Sequence, residues 1–126
     1  MAEAQVRAIK KVIQEYFDGY TGAESEQVAR AFHPETRLYS VDAERGGALD
    51  RTELEAWLEN LRSRKSKGDL RTAGLEIPLV DVSGTAAIAK VVLTFPKLRF
   101  TDYLSLLEIE NEWRIIGKIY TADVRS

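Results

Sequence analysis

The stretch Phe100–Tyr120, FTDYLSLLEIENEWRIIGKIY, decides the fold. Apolar and polar residues alternate on both sides of Glu110-Asn111, the pattern of two antiparallel strands joined by a two-residue turn. With that turn, Glu108 faces Trp113, Leu106 faces Ile115, Leu104 faces Gly117 and Asp102 faces Ile119. Directly opposed residues share one face of a sheet. The Trp113 side is the apolar one, so it is expected to be the concave, covered face. Asp102 then points into a hollow among apolar groups, and Gly117 leaves room beside Leu104.

Working back along the chain, Pro96-Lys97 and Ser83-Gly84 are further turn signals, and strands are expected near 74–82, 85–95, 98–109 and 112–123. The same register places Phe100 beside Leu93 and Asp102 beside Val91 on the inner face. The outer face carries Tyr103, Ser105 and Leu107 beside Arg114, Ile116, Lys118 and Tyr120, with Ile88, Lys90 and Val92 on the neighbouring strand. Mixed aromatic, aliphatic and Arg side chains of this kind suit a protein–protein interface.

Before residue 70 the period is helical. Val6, Ile9, Val12, Ile13, Tyr16, Phe17 and Tyr20 form one stripe on a helix over 3–20, with Gly22 at its end. A short helix is expected over 25–32, closed by Pro34, and a strand over 37–41. Asp50 and Glu53 resemble a capping box ahead of Leu54, Trp57, Leu58 and Leu61, which predicts a third helix over 51–63 and a loop over 63–69. Helices followed by a meander of long strands give an α+β plan in one domain, 1–126.

Composition narrows the function. The net charge is −2, from 18 basic and 20 acidic residues, so no general attraction to nucleic acid is implied. There is no cysteine and a single histidine, His33, which removes thiolate chemistry and a His-rich metal cage. The sequence contains no glycine-rich phosphate loop, catalytic triad or metal-ligand spacing, and no cofactor is expected. The N-terminus lacks the apolar core of a signal peptide, and no apolar run reaches the ~20 residues of a membrane span. A cytoplasmic location is the expectation.

Three stretches carry a family resemblance: YFDGYTGAESEQVARAFHPETRLYSVD (Tyr16–Asp42), LDRTELEAWL (Leu49–Leu58) and the hairpin Phe100–Tyr120. Together they resemble the putative lumazine-binding subgroup of the NTF2-like superfamily, close to the SnoaL-like polyketide cyclases. The resemblance implies a cystatin-like α+β cone, with three helices packed in the concave face of a strongly curved, mostly antiparallel sheet. It also implies a homodimer packed sheet against sheet through the convex side, here Tyr103, Ser105, Arg114, Ile116, Lys118 and Tyr120.

The resemblance also bears on chemistry. Steroid-isomerase-type members place an oxyanion-stabilising Tyr on the first helix, and Tyr16 matches it by its spacing from Phe32. Their Asp base falls here at Ser40, with Asp42 two residues later, and a serine cannot replace a carboxylate base. Scytalone-type dehydratases need paired histidines, which this chain lacks. SnoaL-like cyclases use an acidic residue in the hollow, a role open to Asp102 by analogy.

The residues themselves name Asp102 as a desolvated carboxyl able to move a proton, and the resemblance implies Tyr16 as its partner. Tyr20, Phe32, Tyr39, Trp57, Leu104 and Gly117 are expected to line a pocket for a small apolar or heterocyclic ligand. His33, without an identifiable carboxylate partner, reads as structural, and the basic cluster Arg62, Arg64, Lys65, Lys67 and Arg71 as a solvated loop. Three readings stay open. The preferred one is a small-molecule-binding homodimer without catalysis. The second is an enzyme in which Asp102 and Tyr16 converge on one empty volume, and the third a structural dimer whose hollow is filled by its own side chains.

Overall fold

The computed structural model describes residues 2–126. Helix α1 (Ala2–Thr21) buries Ile9, Ile13 and Tyr16, the centre of the apolar stripe. Gly19 lies on the same side, because α2 (Ser25–Ala31) crosses there. A Cβ at Gly19 would lie 2.7 Å from Val28 Cγ2 and 2.9 Å from the Val28 backbone nitrogen. α1 ends one residue before Gly22, and it is Ala23 that takes the left-handed conformation (φ 54°).

Strand β1 (Arg37–Asp42) leads into a tight 3-10 turn, Ala43–Arg45, in which the Asp42 side chain accepts from the Glu44 N–H. Gly46 and Gly47 then take φ of 68° and 84°, turning the chain back into β2 (Ala48–Glu53). This strand corrects the expected capping box. Asp50 and Glu53 lie in an edge strand, and helix α3 (Leu54–Ser66) starts after them with no side-chain cap at Glu53. Pairing with β1 overrides local helix signals, and Arg37 and Glu53, opposed in register, form an ion pair of 2.6 Å. The helix also runs three residues further than expected, into the segment read as loop.

β3 (Gly74–Ser83), β4 (Ala86–Thr94), β5 (Leu98–Ile109) and β6 (Glu112–Val124) complete a six-stranded sheet of order β2-β1-β6-β5-β4-β3. All pairs are antiparallel except β1 with β6. Pro78 lies in edge strand β3, where the register breaks between Glu76 and Leu79, as a residue without an N–H requires. The β5–β6 turn has positive φ at both Glu110 and Asn111, the expected two-residue hairpin geometry. The core lies between the helices and the inner face, which contributes Val91, Leu93, Leu104, Leu106, Trp113 and Ile115.

The hairpin register holds at first and then changes. Glu108 opposes Trp113 and Leu106 opposes Ile115, but Ser105, not Leu104, opposes Gly117. Ile116 is the extra residue of a β-bulge, and one inserted residue reverses the facing of everything beyond it. Leu104 therefore opposes Lys118 and Asp102 opposes Tyr120. Lys118 and Tyr120, expected outside, turn inward, and Ile119 turns outward. Gly117 lies on the convex side, where a Cβ would meet Ser105, so it opens no space in the hollow.

A solvated loop describes only part of the basic cluster: Arg62, Arg64 and Lys65 lie in α3, and of the five residues all but Arg64 are exposed. Arg64 is buried, donating to the Tyr20 carbonyl at the end of α1 (2.9 Å) and to the Asp69 carbonyl (3.2 Å). Arg62 is taken up by Glu55 and Glu59, and Lys65 by Glu24. Among the described residues no helix is long and apolar enough to cross a membrane.

Candidate functional site

Two elements deliver the polar groups of the hollow. The buried side of α1 carries Tyr16, and the inner face of the β5–β6 hairpin carries Asp102 and, through the bulge, Lys118. Tyr16 Oη donates to Asp102 Oδ2 at 2.6 Å and accepts from Lys118 Nζ at 2.8 Å. Lys118 Nζ lies 3.7 Å from Asp102 Oδ2, and the two side chains are 7% and 1% exposed. Tyr16 thus bridges an acid and an amine inside the protein.

Aromatic rings enclose this group. Lys118 Nζ stands 4.9 Å from the ring centre of Tyr16, 4.6 Å from that of Trp57 and 5.0 Å from that of Tyr120. Ring faces attract a cation, and more strongly once it is desolvated. Phe32 packs edge-on against both Tyr16 and Trp57, with centroids 5.3 Å apart in each case.

Burial dominates the proton equilibria. It pulls the Lys118 ammonium below its ordinary range, against the opposing attraction of Asp102. Burial first, and the Asp102 charge second, push the Tyr16 phenol well above its ordinary value, so it stays a hydroxyl. Asp102 Oδ1 is buried and has no hydrogen-bond partner among the described residues. Such an atom carries a desolvation cost without compensation.

A cavity of about 210 Å³ opens against these groups, walled by Tyr16, Tyr20, Trp57, Lys118 and Tyr120, with Leu38, Thr52, Leu93 and Phe100 completing it. At roughly 30 Å³ per water, it suits a compact molecule. Asp102 is not in the wall, so it does not converge with Tyr16 on the empty volume as expected; its carboxylate meets the wall only through Tyr16 and Lys118.

Of the residues expected to line the pocket, Tyr20 and Trp57 do so. Phe32 and Leu104 are fully buried and back the wall without reaching the cavity. Tyr39 is a correction: on β1, Leu38 faces inward opposite Lys118, so Tyr39, opposite Ile119, lies on the convex face. His33 accepts the Glu35 N–H on Nδ1 at 3.1 Å, a local structural role.

Lys118 and Tyr120 were missed because the expected register had no bulge. A signal was present. Ile115-Ile116 breaks the apolar–polar alternation, and a strand glycine follows at once, a common mark of a bulge.

Residues 4–121 match the family described as putative lumazine-binding. The chain belongs to this family. Its fold is that of an NTF2-like protein of unknown function from Shewanella baltica OS155, with a TM-score of 0.83 at 24% identity, covering 98% of this chain and 97% of that one. A second NTF2-like protein of unknown function, from Silicibacter pomeroyi DSS-3, gives 0.83 at 21% identity and covers 99% of both chains. In sequence, this family member is 27% identical over 109 residues to the aldolase FrzH of a Cladobotryum species, covering 83% of this chain and 81% of that protein.

Proposed function

We propose that this protein is an enzyme acting on a compact carbonyl compound, with chemistry at the carbon next to the carbonyl, as in enolisation or aldol addition. The observation that carries this reading is Tyr16 bridging Asp102 and Lys118 at the cavity. As an ammonium, Lys118 has three donors and spends one on Tyr16. The others can hold a carbonyl oxygen while negative charge develops on it. In an apolar, enclosed site such donors are worth far more than in water. Asp102 balances the charge from behind. The aldolase relative supports the same reaction class, whereas a site built for binding alone has no need of a buried acid, phenol and amine in contact.

The test is deuterium uptake from D2O at the α-carbons of a small ketone, cyclohexanone, followed by NMR. The protein is expected to accelerate exchange, and Lys118→Met, which removes the donors to the oxyanion, to slow it by roughly 100-fold. Equal acceleration by the two proteins would move the chemistry away from Lys118, and no acceleration at all would count for a binding protein.

We further propose that two copies pair through the convex face. Every strand places one exposed large apolar residue there: Leu49, Val41, Ile119, Tyr103, Ile88 and Leu79 in sheet order. A band of this kind across a whole sheet is rare on a monomer surface, and two-fold dimers are the commonest oligomers.

A further inference from the structure

In the enolising reading Lys118 holds the carbonyl oxygen as an ammonium, and its surroundings point to a covalent role in place of that one. Resting on that reading, we infer that Lys118 is a covalent nucleophile: its Nζ forms an imine with a small ketone or aldehyde held in the 210 Å³ cavity. Four observations converge on this residue. Lys118 belongs to the cavity wall and its side chain is almost fully buried. It is enclosed by the rings of Tyr16, Trp57 and Tyr120. A hydroxyl and a carboxylate stand within 3.7 Å to take and return protons. Burial also favours the uncharged amine, the form that attacks carbonyls and the reason buried lysines serve as Schiff-base residues.

The protons balance within this group of three. The ammonium passes one proton through Tyr16 Oη to Asp102 Oδ2, with Tyr16 giving its own proton as it takes the other, so no phenolate forms. Neutral Nζ then bonds to the carbonyl carbon, and the C=O electron pair moves to oxygen. Oxygen leaves as water, carrying the proton returned from Asp102 and one from nitrogen, and the third ammonium hydrogen stays on the iminium. Loss of the α-proton, again through Tyr16 to Asp102, places the C–H pair in a new C=C bond and returns the C=N pair to nitrogen. The resulting enamine takes up a proton, or attacks an aldehyde carbon, and water regenerates the lysine.

Incubation of the intact protein with cyclohexanone and sodium cyanoborohydride traps an imine as a stable secondary amine, which peptide mass spectrometry locates. A cyclohexyl group on Lys118 is expected, formed faster than on the exposed Lys10. Lys118→Arg should lose the adduct at this position and leave that on Lys10 unchanged. Tyr16→Phe, which keeps the amine, should slow trapping at Lys118 alone.

Deuterium exchange with no adduct on Lys118, or with adduct no faster there than on Lys10, overturns the imine and leaves the enolising reading standing. Absence of both exchange and adduct overturns the two together. An adduct on Lys118 without exchange upholds the imine and removes the enolising step.

Discussion

Lys118 and Asp102 are buried side by side, and their charges are costly to hold away from water. Removing a buried ion pair from water takes more than its attraction returns unless further hydrogen bonds help. Here Tyr16 supplies one to each partner, yet Asp102 Oδ1 remains without one. The sign of the pH dependence follows. Burial depresses the folded-state value of Lys118 below the ordinary lysine value of 10.5. Between those two values the unfolded chain holds more protons than the folded one, so folding stability increases with pH across that window and is lost as pH falls through the folded value. Lys118→Met should abolish this component. Urea unfolding from neutral pH to pH about 10 should show wild type gaining stability relative to the variant. Parallel profiles would show that the lysine titrates as if exposed.

At the scale of elements, the elements that position the site were readable in different degrees. α1 and the β5–β6 turn could be read directly, because their periods of about 3.6 and 2 run uninterrupted through Ile9, Ile13 and Tyr16 and through Leu106, Glu108 and Trp113. β2 was not readable: Ala48–Glu53 is an edge strand with little apolar content, and its pairing with β1 is a tertiary event. The bulge at Ile116 mattered most. Asp102 is on β5, whose register with β4 is unbroken, and was placed correctly, whereas Gly117, Lys118 and Tyr120 on the bulged strand were assigned to the wrong faces. The α1–α2 crossing at Gly19 can be tested separately. Gly19→Ala adds helix propensity of roughly 1 kcal/mol but sets a methyl 2.9 Å from a backbone nitrogen that cannot move alone. A net loss of about 1–3 kcal/mol is expected from overpacking, measured by denaturant unfolding. A stabilised variant would show that α2 slides freely over α1.

Over the whole molecule, the curved sheet separates two tasks. Its inner face holds the polar triad and the cavity, and its outer face carries the apolar band. The bulge contributes to both, since the same inserted residue that turns Lys118 inward turns Ile119 outward, where it is 56% exposed beside Tyr103 at 47%. Placing a charge in that band should prevent association at modest cost to the fold, because these side chains contribute little to the core. Ile119→Asp is expected to sediment as a folded monomer and wild type as a dimer. A variant that remains dimeric would move the interface to another surface.

The account rests on the concave cavity being where the carbonyl compound binds, and a titration of isotope-labelled protein with cyclohexanone, followed by NMR chemical shifts, addresses this most directly. The largest changes are predicted at the Trp57 indole and in Tyr16, Lys118 and Tyr120 around the cavity. Changes confined to Tyr39, Val41 and Ile119 on the convex face, with the cavity residues unmoved, would contradict it.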